Sequence, residues 1–490
     1  MRYIFLLLFF SPWMVCGQGA LLMPDSLGLY EEYGHSVAIS DGFAFVGSPF
    51  RYEKRGAVLV YRKVGGEWVF DDELLASDGV AGAQFGYSIA IDGDFLVVGA
   101  PFDTEKGSDA GAVYIFRKDG VDWEEKSKLT ASNGNQYDVF GNKVSVHENT
   151  IVVSAVGSEQ CGFLCGAAYV FEKNNGDWEE TGLLLPPIGG DWKRFGLSVG
   201  VDGDDVFIGS SSQGYHGIVY VYSENAGVWS VSQELRASDE QQINSSFFGR
   251  TLSVDGDYLV VGAPQRGEGV KGHVGAVYVF KKNSLDWQEV QKIQKLEPMA
   301  TIDGYQFGSS ISLLGDNLAI AANQQELIIN IRKRDVFYYR LIGGLWEEER
   351  KVSFKSIKKD EYNLGLSVAI DAEDMLVGIP YSDTLNDNSG SAQVFKLSDL
   401  VPVAQVFDQS LDIQVFPNPT SNFIQLSWTN PSISTLSIEI KDMTGRTIKM
   451  IVGIGSNEGV DVAFLPQGIY LMTLYGNNKV LRTKKLVIFR

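Results

Sequence analysis

Phe85-Gly86-Tyr87-Ser88-Ile89-Ala90-Ile91-Asp92-Gly93-Asp94-Phe95-Leu96-Val97-Val98-Gly99-Ala100-Pro101 is the stretch whose reading decides the fold. Two apolar runs flank Asp92-Gly93. Asp-Gly between such runs is a strong hairpin signal, because glycine tolerates the positive φ of a tight turn. The aromatic-Gly pair that opens the stretch recurs at Tyr33-Gly34, Phe140-Gly141, Phe195-Gly196, Phe248-Gly249 and Phe307-Gly308, with Leu364-Gly365 in seventh place. Consecutive glycines of these pairs stand 52, 55, 55, 53, 59 and 57 residues apart. A third run follows each hairpin, as in Gly275-Ala276-Val277-Tyr278-Val279-Phe280, and Trp68, Trp123, Trp178, Trp229, Trp287 or Trp346 then opens a fourth. No helical period persists through this body. Four short strands repeated seven times predict an all-β fold, a seven-bladed β-propeller of four-stranded blades over residues 20–400.

Two residues after each repeated glycine stand Ser36, Ser88, Lys143, Ser198, Thr251, Ser310 and Ser367. Two further on come Ala38, Ala90, Ser145, Gly200, Ser253, Ser312 and Ala369. Small side chains suit strands crowded around an axis; a ring of hydroxyls lining a functional channel is the other reading. The seventh unit has no Trp segment after Gly390-Ser391-Ala392-Gln393-Val394-Phe395. Leu21-Leu22-Met23-Pro24-Asp25 parallels Leu74-Leu75-Ala76-Ser77-Asp78, so the N-terminus is expected to supply the missing strand and pin the ring shut.

The two ends of the chain differ from this body. Met1-Arg2 precedes an uncharged run from Tyr3 to Val15, too short to span a bilayer comfortably, and Val15-Cys16-Gly17 offers a peptidase site. Residues 1–19 therefore read as a signal peptide, and the mature chain carries no transmembrane span. Removing it leaves Cys161 and Cys165, which in an oxidising compartment read as a disulfide staple, with free thiols as the alternative. From Asp412 to Arg490 the repeat disappears, and eight basic against five acidic residues make the stretch positive within a chain of net charge −20. Its alternating apolar runs predict a small β-sandwich of about seven strands, after a linker at 401–411.

The acidic balance argues against a nucleic-acid partner, which requires a basic footprint. His35, His147, His216 and His273 show no metal-ligand spacing. Gly267-Glu268-Gly269-Val270-Lys271-Gly272 matches a dinucleotide string but lies between antiparallel strands, with no helix to receive a phosphate. The inner strands are read as carrying no carboxylate before their turns, so the axial acid pair that a propeller glycosidase would need is not visible. Catalytic and metal-binding residues are thus none. Variable loops between second and third strands carry Phe50, Tyr52, Phe102, Asp103, Tyr215, His216, Arg266, Tyr381 and Asp383, the ligand-binding candidates.

Phe85-Gly86 with Gly99-Ala100-Pro101, and Phe248-Gly249 with Gly262-Ala263-Pro264, resembles the FG-GAP repeats of integrin α-chain propellers over roughly residues 20–400. Many such repeats carry a calcium loop between the first and second strands. Here that connection is a minimal turn such as Asp92-Gly93, so calcium enters only as a possibility that the resemblance raises, and no other cofactor is expected. At the other end, Pro417-Asn418-Pro419, Gly445-Arg446, Gly468 with Tyr470, and Lys484-Lys485 follow in order. That set resembles the C-terminal sorting domain of type IX secretion substrates in Bacteroidetes. The resemblance implies the type IX machinery as partner and a route through the periplasm to the outer surface or the medium. The function expected is a binding or adhesion propeller for an extracellular glycan or protein. The rivals are an extracellular hydrolase with a site at the propeller axis, and a structural surface protein.

Overall fold

The computed structural model describes residues 19–490 except 25, 211–215, 241–246, 266–273, 285, 296–304, 326–331, 357–365, 381, 383–388, 401–413, 417–419, 421, 428–434, 443–446, 456–457, 477–478 and 490; for some further strand residues only the backbone is described. Two compact units meet at Leu400 and Val401. The first holds seven four-stranded antiparallel sheets, six of them meanders paired in chain order. In the second sheet the strands are Ser88–Asp92, Phe95–Ala100, Ala112–Asp119 and Asp122–Leu129. First strands of successive sheets contact one another in cyclic order, the seventh against the first. The sheets are therefore blades around an axis.

Burial follows from that geometry. Second and third strands have sheets on both faces, so Leu96, Val97, Val98, Val113, Tyr114 and Ile115 are all buried. Outer strands face solvent on one side and alternate, as in Asp177–Leu184. The turn between first and second strands is as short as Asp92-Gly93 suggests: Asp92 pairs with Phe95, and Gly93 has φ +51°.

The first-strand hydroxyls are joints between blades. Oγ of Ser36, Ser88 and Ser198, Oγ1 of Thr251, and Oγ of Ser367 donate to the carbonyls of Gly86, Gly141, Gly249, Gly308 and Gly34, each in the next blade, at 2.7–2.8 Å. These five hydroxyls donate to backbone, as packing expects, while Thr251, Ser310 and Ser367 of the same column also line the axial cavity. Close approach at the joint also explains the glycine of Gly-Ala-Pro. A Cβ on Gly99 would stand 2.1 Å from the Gly141 oxygen and 2.3 Å from Ser88 Oγ. At the periphery four of the six phased tryptophans, Trp123, Trp178, Trp287 and Trp346, pack edge-on against the second-strand aromatic of the preceding blade. Trp123 meets Phe45 at 5.0 Å, Trp178 meets Phe95 at 5.6 Å and Trp287 meets Phe207 at 5.1 Å.

Asp92, Asp202 and Asp255 end their first strands, which corrects the expectation that no carboxylate stands there. These carboxylates accept the backbone N–H of Glu148, Gly256 and Gly315 in the following blade, so they too serve as clamps.

Ala20–Leu22 pairs with Ser391–Lys396 and completes the seventh blade. Leu22 faces Ala392 as Leu74 faces Val58 in the first blade, and Gly390 bridges Tyr33 as Gly56 bridges Phe85. The counterpart of Leu74 is thus Leu22, one residue later than the sequence parallel suggests. Burial agrees: Leu22 is 1 % exposed and Leu21 48 %. A one-residue slip in a strand exchanges its faces.

The second unit has seven strands in two sheets. One holds Gln414–Phe416, Phe423–Ser427 and Gly459–Asp461; the other holds Thr447–Gly455, Thr435–Lys441, Gly468–Gly476 and Lys479–Ile488. Both sheets feed one core that includes Ile424, Leu426, Ile438, Ile440, Met472 and Leu486.

Candidate functional site: the axial cavity

Each repeated Phe-Gly glycine adopts positive φ, for example +88° at Gly86, and turns the chain from loop into first strand. The following residue emerges at the mouth of the axis, one from each blade: His35, Tyr87, Asn142, Leu197, Arg250, Ser309 and Leu366. Together with Lys143, Tyr137, Arg194, Gln306, Asn323 and the ends of second strands, they line a cavity of about 660 Å³. Here the repetition stops: seven equivalent positions carry six different residue types, with leucine used twice, at Leu197 and Leu366.

Three cations stand in the wall. Lys143 occupies the column that elsewhere holds Ser or Thr, Arg250 follows Phe248-Gly249, and Arg194 precedes Phe195. Lys143 and Arg250 are open to the solvent of the cavity yet enclosed by the ring. That enclosure, and then Arg250, push the Lys143 ammonium below its ordinary range. Arg250 is lowered in turn, by enclosure first and then by Arg194. Arg194 is placed by its backbone N–H, which donates to the Leu164 carbonyl at 3.1 Å inside the Cys161–Cys165 loop. Those cysteines form a disulfide with Cα atoms 5.7 Å apart, and Leu164 lines the cavity.

The rest of the wall is aromatic and amide. His35 lies 4.6 Å from the Tyr87 ring and 3.1 Å from the Glu32 carboxylate. Burial raises the Tyr87 hydroxyl, as does the charge of Glu32, while its hydrogen bond with Asn142 opposes the shift. Asn323 donates from Nδ2 to Ser309 Oγ at 3.1 Å, and its Oδ1 is buried with no hydrogen-bond partner.

The described loop residues singled out from sequence fall outside this wall. Tyr52 is 47 % exposed, in a short turn at Arg51–Lys54, and donates from its hydroxyl to Glu73 at 3.0 Å. It borders a separate hollow of about 280 Å³ with Arg55 and Leu75. Phe50 is half-buried under Lys54, whose Nζ lies 5.3 Å from its ring. Phe102 packs edge-on at 6.1 Å against Tyr87 and so supports the cavity from behind. Asp103 is a correction: it is buried and accepts from Tyr114 and Lys128, both at 3.2 Å, inside its own blade. His216 is half-buried, with its carbonyl accepting from Phe248 N–H. Tyr215, Arg266, Tyr381 and Asp383 lie outside the described residues, as do His273 and the Gly267–Gly272 string. The axial residues were readable as a column, the position after each Phe-Gly, but only once that position is known to face the axis.

In the second unit, Tyr470 donates from its hydroxyl to the Pro466 carbonyl at 2.8 Å, fixing the turn that starts the Gly468 strand. Tyr470 pairs with Leu486, and Met472 with Lys484. Pro417–Pro419, Gly445 and Arg446, and the side chains of Lys484 and Lys485, lie outside the description. Six of the seven turns between first and second strands have two residues, and the aspartates that precede three of them accept backbone N–H groups.

Comparison with known proteins agrees with this anatomy. Residues 68–116, 123–171 and 229–280 match the FG-GAP repeat, and residues 414–489 match the secretion system C-terminal sorting domain. Each matched repeat runs from an outer-strand tryptophan into the next blade's third strand, so the sequence repeat is offset by one strand from the structural blade. Integrin alpha-7 of Rattus norvegicus is 30 % identical over 135 residues, covering 26 % of this chain and 12 % of its own length. Integrin alpha-6 of Gallus gallus is 28 % identical over 211 residues, 38 % of this chain and 19 % of its own. The chain thus spans less than a fifth of these curated relatives. Among the described residues no helix is long and apolar enough to cross a membrane. The sorting domain marks the chain as a secreted or outer-surface protein, exported by the type IX system.

Proposed function

We propose that this protein is a surface-delivered recognition module: a rigid propeller that binds an extracellular ligand on the face bearing the Phe-Gly turns and the loops between second and third strands. One observation carries the reading. The scaffold repeats its joints blade after blade, while the seven residues it presents at the axial mouth are of six different types, five of them polar or charged, as a specific site requires and a spacer does not. Residues 1–19 act in this reading as the export signal and are removed. Residues 412–490 act as the address, and 401–411 as the segment that joins address to module.

The test uses the chain from residue 20 onward on an array of glycans and matrix proteins, with calcium and with chelator. Saturable binding that weakens about tenfold in Tyr52→Ala or Tyr137→Ala is the expected result; both rings are exposed on this face, at 47 % and 56 %. Silence across the array, or binding untouched by either substitution, sinks the reading.

A further inference from the structure

We infer that the axial cavity is an anion site which takes a carboxylate- or sulfate-bearing sugar unit, with Arg250, Lys143 and Arg194 as its cationic wall. This rests on the recognition reading and names the ligand class at its centre.

The first argument is charge. The chain is acidic, at −20, yet no Asp or Glu is among the described residues that line this cavity. Several enclosed cations elsewhere in the protein are matched by carboxylates. Arg51 sits 2.6 Å from Glu31 and 2.7 Å from Glu73, Lys63 sits 2.6 Å from Asp374, and Lys292 sits 2.7 Å from Asp239. Lys143 and Arg250 make no ion pair within 4 Å among the described residues, and they repel one another. Placing like charges together without a counter-charge costs stability unless something else supplies it. An anion in the cavity does so.

The second argument is the neutral part of the wall, which separates a sugar from a bare ion or an acidic side chain. Asn323 places its amide at the wall, with Nδ2 donating to Ser309 Oγ at 3.1 Å. Asn142 and Ser309 add amide and hydroxyl groups, and Tyr87 supplies a ring face beside them. A volume of about 660 Å³ accommodates more than an inorganic ion.

The experiment measures calorimetric affinity of the chain from residue 20 for four probes at two salt concentrations. These are trigalacturonate, a sulfated trigalactose, uncharged trigalactose and triglutamate. Expected is binding of one or both charged sugars at least tenfold tighter than trigalactose, weakening with salt. Which of the two binds separates carboxylate from sulfate. Arg250→Gln and Lys143→Gln should each weaken it by roughly tenfold, as for a lost charge-assisted hydrogen bond. Lys126→Gln, on the outer strand of the second blade, should leave it unchanged. Circular dichroism and melting of each variant check that the ring is intact.

Equal affinity for trigalactose, indifference to both substitutions, or no binding of either charged sugar overturns the proposal. Binding of triglutamate alone overturns the sugar assignment in favour of an acidic protein segment. An array ligand lost in Tyr52→Ala but retained in Arg250→Gln and Lys143→Gln retires the axial site and leaves the recognition reading standing.

Discussion

At the residue scale the joint between blades is the most constrained point. Ser88 Oγ, Gly99 and the Gly141 carbonyl occupy one small volume, and each excludes alternatives for the others. Ser88→Ala leaves a buried carbonyl short of its donor and should cost about 1–2 kcal/mol. Gly99→Ala drives a methyl group into the neighbouring backbone and should cost about 1–3 kcal/mol or more. Denaturant melts of both single variants and the double variant check this. The double should cost less than the sum, since removing Ser88 Oγ relieves one of the two contacts of the new methyl. Additive losses would mean that the two residues do not share a joint. Asp103 shows the converse lesson. Its place in a variable loop suggested exposure, yet Tyr114 and Lys128 draw it into the blade, a contact between residues 11 and 25 positions away that local pattern does not reveal.

At the element scale the three-residue strand Ala20–Leu22 matters out of proportion to its length, because it covers the outer edge of the seventh blade. Its side chains alternate sharply between core and solvent. Leu22→Ala is expected to cost about 2–4 kcal/mol as a core truncation. Leu21→Ala should fall within about 0.5 kcal/mol as a surface change. Thermal melts of the two variants decide the register, since the reverse order would restore the pairing that the sequence parallel suggests. The disulfide loop is the other short element with reach. Cys161–Cys165 holds Leu164, and Leu164 holds Arg194, so a staple far from the axis in chemistry contributes one wall of the cavity.

At the scale of the whole molecule, the chain divides into two units with separate cores, to which the proposed function assigns recognition and address. Ending the chain at residue 400 should leave the propeller folded. Its melting temperature should move by less than about 2 °C, where a loss of 1 kcal/mol moves a large domain by about 2–4 °C. Scanning calorimetry of both chains tests this, and a larger fall would mean that the propeller depends on the second unit for stability.

What the amino-acid sequence determined by itself is the repeat. The Phe-Gly pairs, Asp-Gly turns and phased tryptophans specify local conformations, and local conformations need only their own neighbours to be read. The C-terminal address is legible for the same reason, as four short motifs in order. Only the tertiary structure decided which column of the repeat faces the axis. His35, Arg194 and Arg250 are separated by up to 215 positions, and each looks like an ordinary loop residue in its own repeat. Closure of the ring brings them to one cavity. A cavity assembled from many blades is a property of that closure, and no spacing within one repeat encodes it.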